Sequence, residues 1–272
     1  RLATAASGAS RLITGNAEIS GATQTGTDSA TSGNISVTAG TAGASGGIGL
    51  SSAGNALTIG TASRTTATGT DAATTGNITL TSRDEINNGT ASTALGVTFG
   101  AAAGGLTNTA GTLTATTTQS GGHLFLTAPA ALTVGVLDTA DASSQTISIL
   151  TTGDTNLTWS GVSSLDTDAV TFGGAATGVL TISANQALGS LTGTGNSVLV
   201  SNTVTTANST TGGTPSGNIT LTADTTTLAV NANLTTGNAT VADVVTTNET
   251  AVSGNVTLSA GTSVTGSGRL IT

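Results

Sequence analysis

The chain has 272 residues, among them 39 Gly, no Cys, no Met, no Tyr, one Trp, three Phe and one His, and Leu, Ile, Val and Phe together make up only about a fifth of it, at the margin below which chains stay unfolded. A net charge of −8, with Arg1, Arg11, Arg64, Arg83 and Arg269 as the only basic side chains, supplies no basic stripe for nucleic acid or anionic headgroups. It also offers little material for clustered acid–base chemistry. No segment approaches the roughly 18 consecutive apolar residues of a membrane helix, so no membrane insertion is expected.

In chain order, the first regular unit is Gly33-Asn34-Ile35-Ser36-Val37-Thr38, followed by apolar pairs at Ile48/Leu50 and Leu57/Ile59. The unit returns as Gly76-Asn77-Ile78-Thr79-Leu80-Thr81, then in variant form as Gly122-His123-Leu124-Phe125-Leu126-Thr127. Apolar residues two apart with hydroxyl residues between them are the signature of a strand with one buried face. The Gly-Asn in front reads as a turn, both residues tolerating positive φ. The densest stretch follows, with strand cores at Leu132–Val136, Ile147–Ile149, Leu157–Trp159, Val170–Phe172, Leu180–Ile182 and Val198–Val200. The full unit then recurs at Gly217-Asn218-Ile219-Thr220-Leu221-Thr222, with Leu228/Val230 and Ala239/Val241 behind it, and at Gly254-Asn255-Val256-Thr257-Leu258-Ser259.

Asn34 and Asn77 stand 43 positions apart, and Thr25–Ser32 resembles Thr68–Thr75, so polar loops leave the framework at a repeated corner. Three short strands, a corner between each, and then the same again describe one coil of a solenoid. The expected fold is all-β: an elongated right-handed parallel β-helix with three short strands per coil and variable Thr/Ser/Ala-rich loops, residues 1–272 forming a single segment. Eight or so coils at about 4.8 Å per strand make a rod of about 40 Å. A narrow solenoid needs few large side chains per coil, which reconciles the fold with the composition. A sandwich or barrel fits less well, because its hairpins require tight reversing turns between matched strands. Arg11-Leu12-Ile13-Thr14 recurs as Arg269-Leu270-Ile271-Thr272, and both read as strand. The coils are therefore expected to continue into a longer chain or by end-to-end self-association.

The Gly-Asn-Ile/Val-Thr/Ser-Leu/Val-Thr/Ser units, with Ala56-Leu57-Thr58-Ile59-Gly60 and Ala131-Leu132-Thr133-Val134-Gly135, resemble the β-helical shaft of bacterial filamentous-haemagglutinin-type exoproteins and autotransporter passenger domains. The resemblance implies secretion across the outer membrane to the cell surface or exterior, and service as an adhesin, stalk or filament. The Asn-Pro-Asn motifs of that family's secretion domain are missing from the sequence, so the segment corresponds to shaft. The lack of Cys agrees with an exported chain that carries no disulfide framework.

No catalytic, cofactor-binding or metal-ligating set is expected, and the protein is read as a structural one rather than an enzyme. His123 stands alone without Cys or a second His, which leaves it a corner or surface role. Asp166-Thr167-Asp168 could attract calcium, yet Gly46-Gly47-Ile48-Gly49-Leu50-Ser51 lacks the Asp of calcium-binding solenoid repeats, and a solvated acidic turn is the expectation. Asp84-Glu85 and Asp138 with Asp141 could imitate a glycosidase pair, but without aromatic sugar platforms. Asn34-Ile35-Ser36, Asn156-Leu157-Thr158 and Asn248-Glu249-Thr250 match glycosylation acceptors as by-products of the strand motif. Thr112–Thr116 and Thr220–Thr222 would form an ice-binding-like hydroxyl face if coils stack evenly. The alternative to a shaft is a carbohydrate- or receptor-binding adhesin module that contacts host or surface glycans through its loops.

Overall fold

The computed structural model describes residues 11–19, 29–40, 47–48, 56–64, 72–84, 86, 95–99, 102–103, 107–109, 111–118, 122–139, 145–210, 216–240 and 251–272. These residues form strands and turns without helix, and every strand pairing among them is parallel. Parallel neighbours cannot be joined by hairpins and need a crossover, so the sandwich or barrel alternative does not describe this chain. Two long sheets dominate, one of nine strands from Ile35–Ala39 to Ser263–Thr265 and one of twelve that includes Arg11–Ile13 and Leu270–Ile271. The chain visits one sheet, crosses to the other and returns one strand further along, an arrangement compatible with a β-solenoid.

Each circuit contributes inward apolar residues that stack on those of its neighbours. In the nine-stranded sheet, Ile35, Ile78, Leu113, Val134, Trp159, Ile182, Val200 and Val230 are successive partners, all buried. The twelve-stranded sheet faces them with Leu124, Ile147, Val170, Leu191 and Ile219. A side chain buried between the rung above and the rung below needs little help from its own rung, and this is how so few large residues make a continuous core. Nine strands at about 4.8 Å give a stack about 38 Å high.

Circuit length is not uniform. Corner contacts between successive circuits span 43 residues at Asn34 and Asn77, 35 at Asn77 and Thr112, 23 at Asn156 and Val179, 18 at Asn185 and Thr203, and 36 at Asn233 and Arg269. The middle is the tightest part, as the density of its strand cores predicts. Three strands per circuit is too simple, however. The early circuits add two small parallel sheets, Ala17–Ile19 with Ala62–Arg64 and Ala102–Ala103, and Ser29–Thr31 with Ala72–Thr74 and Thr107–Thr109. In the middle, Ser163–Gly173 and Gln186–Gly195 each run through a corner as one long strand, with a register shift between Leu165 and Ala169.

Other expectations change in detail. Ile48 forms only an isolated bridge to Ile86, which bridges on to Leu124, and Leu50 lies outside the described residues. Ala239–Thr240 pairs with Ser209–Thr210 but is exposed rather than buried, and Val241 lies outside the described residues. The strand predicted at Leu132–Val136 runs to Asp138, and a register shift there turns Val136 outward, 44% exposed, and Leu137 inward. Both Arg-Leu-Ile segments join the twelve-stranded sheet, but not at equivalent places. Leu12 pairs with Leu57 and so continues the line of Leu95–Phe99 and Leu124–Ala128, whereas Leu270 follows Leu234, Val204, Gln186 and Ser163. Their match in sequence is not a match in position.

Candidate functional surfaces

The Gly-Asn corners are the most regular polar feature of the molecule. The hydroxyl or amide oxygen of one circuit accepts a backbone N–H of the next. Gly60 donates to Thr14 Oγ1 at 2.8 Å, Gly76 to Ser32 Oγ at 3.0 Å and Gly254 to Ser216 Oγ. One residue on, Thr61 donates to Asn16 Oδ1 at 2.9 Å, Asn77 to Asn34 Oδ1 at 2.7 Å, Thr112 to Asn77 Oδ1 at 2.8 Å and Asn255 to Asn218 Oδ1 at 2.8 Å. The motif thus satisfies amides that the chain's change of direction removes from the sheet ladders.

The expected reason for the glycine was wrong. Asp154, Gly40, Gly153, Gly173 and Gly266 carry positive φ, but Gly33, Gly76, Gly217, Gly254 and the asparagines beside them do not. Close approach explains Gly76, Gly217 and Gly254 instead: a Cβ on Gly76 would stand 2.6 Å from the carbonyl carbon of Gly33 and 2.8 Å from Ser32 O, and one on Gly254 would stand 2.8 Å from the carbonyl carbon of Gly217, whereas a Cβ on Gly33 would come no nearer than 3.3 Å, to the Thr14 side chain. Where a corner sits on the backbone of the circuit before it, as at Gly76 and Gly254, there is room for a hydrogen and nothing larger.

His123 occupies the Asn position of a corner and does the same work, accepting the Thr146 N–H on Nδ1 at 2.9 Å. That bond requires a neutral ring with its proton on Nε2. The ring also lies 6.2 Å from Phe125. His123 is therefore a corner residue, as its isolation suggests.

Asp168 is not a solvated turn residue. It is 2% exposed and sits at the register shift of Ser163–Gly173, where its carboxylate accepts the Thr139 hydroxyl and, at 2.8 Å, the Gln145 N–H. The side chains of Asp166 and Thr167 lie outside the described residues. A buried carboxylate is tolerated because such donors replace its water. Beside it, buried Ser163 Oγ accepts Leu137 N–H at 3.0 Å and Trp159 Nε1–H at 3.3 Å, while the Trp159 ring rests 4.8 Å from that of Phe172. Sequence reading missed this polar cluster, although one cue existed: a separation of 23 residues joins both Gln145 to Asp168 and His123 to Thr146.

The other candidates do not come together. Asp84 lies 3.9 Å from Arg83 in a partly exposed ion pair, and Glu85 is outside the described residues. Asp138 is exposed, and Asp141 is outside them, as are Asn248 and Gly46, Gly49, Leu50 and Ser51. Asn34 and Asn156 are exposed, each accepting a backbone N–H from the next circuit, Asn156 from Val179 at 3.0 Å. Thr112 bonds to Asn77 Oδ1, and the row containing Thr116 meets Asp138 on the next strand, which breaks it. Thr220 and Thr222 do stand in register, between Thr192 and Thr194 on one side and Thr257 and Ser259 on the other. Among the described residues no group of three or more His, Asp or Glu could hold a metal ion. No family model, curated protein or solved structure matches the chain.

Proposed function

We propose that the protein is a structural shaft, a right-handed parallel β-helix that serves as a stalk or filament segment of a secreted or surface-displayed bacterial adhesin. The observation that supports this best is the uninterrupted parallel stack, with one column of buried apolar residues running from Ile35 to Val230. Main-chain hydrogen bonds then point along the long axis, and corner side chains repeat the same link at the edges. Extending such a body stretches many parallel bonds together, which suits a spacer. Right-handedness follows from the general preference of parallel crossovers, in which a right-twisted strand packs back onto its sheet in only that sense. Hydroxyl rows such as Thr133, Thr158 and Thr181 line up on the nine-stranded sheet and solvate its outer face with few charges.

Solution scattering and negative-stain electron microscopy of the purified chain test the reading. A rod of uniform cross-section is expected. A compact particle, or loss of the rod profile at moderate ionic strength, refutes it.

A further inference from the structure

Three loops of the stack are closed in the same way, by a threonine before the loop whose hydroxyl donates to the carbonyl of the glycine at the next corner. Thr117 Oγ1 donates to Gly122 O at 2.9 Å, Thr206 Oγ1 to Gly217 O at 2.6 Å and Thr236 Oγ1 to Gly254 O at 3.0 Å. Thr139 and Gln145 hold the places of Thr117 and Gly122 one circuit later, since Thr116 pairs with Asp138 and Leu124 with Ile147. There the pattern changes. Glutamine stands where these corners have glycine, and the Thr139 hydroxyl donates to the Asp168 carboxylate instead.

The glycine corner shows where a side chain at this place begins. A Cβ on Gly122 would lie 2.8 Å from Thr117 Oγ1, so a side chain at the equivalent position leaves the backbone beside the threonine hydroxyl. At position 145 that side chain ends in a primary amide. Gln145 is 1% exposed, as buried as Asp168 at 2% and Thr139 at 3%. Asp168 holds both neighbours at once: one carboxylate oxygen accepts the Thr139 hydroxyl and the other accepts the Gln145 N–H at 2.8 Å. A hydroxyl nucleophile, a carboxylate placed to take its proton and a carboxamide are thus gathered in one buried corner. Holding reactants together in this way replaces a bimolecular encounter by an intramolecular one, and a base on the hydroxyl raises its nucleophilicity.

We infer that Thr139 and Gln145 join through an intramolecular ester across the mouth of the loop between them. Asp168 accepts the Thr139 proton as Oγ1 attacks the side-chain carbonyl carbon of Gln145. The C–N bond then breaks, and the same proton passes from Asp168 to the departing nitrogen, which leaves as ammonia. One C–O bond replaces one C–N bond, and the step consumes no oxidant or reductant. In a chain without Cys the ester is a covalent staple between the end of a strand in the nine-stranded sheet, Leu132–Asp138, and the start of one in the twelve-stranded sheet, Thr146–Thr151. The bond stands on this corner and not on the shaft reading.

Mass spectrometry of the purified full chain tests it, first intact and then after digestion with pepsin in acid, where an ester survives. The expected protein is lighter than its sequence by one ammonia, with the loss confined to peptides that hold both Thr139 and Gln145. Hydroxylamine should open the bond and leave a hydroxamate on residue 145. Thr139→Val, which keeps the side-chain shape, and Gln145→Glu, which has no ammonia to lose, should both show their full sequence masses. Asp168→Asn with a native circular dichroism spectrum should carry at least tenfold less ester. The unsubstituted chain decides the matter whether or not a variant folds. Its full sequence mass overturns the bond, as does a deficit of one water, which would place the ester between Thr139 and Asp168. A deficit that persists in Thr139→Val, or an ester equally populated in folded Asp168→Asn, overturns the assigned chemistry.

Discussion

Replacing Gly76 by Ala tests whether the corner glycines are there for lack of space rather than for φ. The added Cβ would lie 2.6 Å from the Gly33 carbonyl carbon, and reaching an ordinary carbon–carbon contact requires the two circuits to separate locally by about 1 Å. Four hydrogen bonds cross the gap at this corner. Gly76 N–H meets Ser32 Oγ at 3.0 Å, Asn77 N–H meets Asn34 Oδ1 at 2.7 Å, Ser32 N–H meets Thr74 O at 3.1 Å and Ile35 N–H meets Asn77 O at 2.9 Å. A bond of 3 Å stretched by that amount no longer counts as one. Losing two of the four at about 0.5–1.5 kcal/mol each gives a destabilisation of about 1–3 kcal/mol, the range found when cores are overpacked by a methyl group. The smaller unfolded-state entropy of Ala returns only about 0.4–1 kcal/mol.

Gly15 is the control, since it precedes Asn16 at another Gly-Asn corner and a Cβ there meets nothing within 4 Å among the described residues. Gly15→Ala should be neutral or slightly stabilising. Amide hydrogen exchange read by mass spectrometry suits a stack that opens circuit by circuit, with thermal unfolding beside it. Protection should fall around Ser32–Ile35 and Gly76–Ile78 in Gly76→Ala alone. Equal behaviour of the two variants would refute the close-packing explanation.

Asn77→Ala should expose the Thr112 amide to exchange at a cost of about 0.5–1.5 kcal/mol, while Asn77→Asp, which keeps an acceptor oxygen, should protect it far better. His123→Asn should preserve the thermal midpoint because the Thr146 N–H keeps an acceptor, and His123→Leu should lower it; equal midpoints would argue against the corner role. Trp159→Ala removes the largest fully buried side chain and its contact with Phe172, for an expected loss of about 3–5 kcal/mol measured by denaturant titration. As the only Trp, residue 159 should also emit at short wavelength in the native protein and shift red when the middle circuits open. Asp168→Ala leaves the Thr139 hydroxyl and Gln145 N–H without their carboxylate, at a cost of about 1.5–3 kcal/mol; an unchanged unfolding midpoint would show that those donors find other partners.

The apolar alternation at Ile35/Val37, Ile78/Leu80, Leu124/Leu126 and Ile219/Leu221 was enough to place strands, because a two-residue period needs only local sequence. The 43-residue spacing of Asn34 and Asn77 was enough to place one circuit above another. The sites were harder to read. Asp168 looks solvent-facing beside Asp166, since nothing nearby in sequence announces that its donors arrive from Thr139 and Gln145, a whole circuit earlier. Val136 and Leu137 exchange faces at a register shift set by the neighbouring strand and not by their own pattern.

Composition and repeat therefore decided what kind of body this chain makes, since so few large side chains can be buried only if each is shared between successive rungs. Tertiary structure decided what each motif residue is for. A Gly-Asn pair has the same local preferences in any sequence, and only the stacking of one corner on the next converts the glycine into a space requirement and the asparagine into an acceptor for a residue 43 positions away.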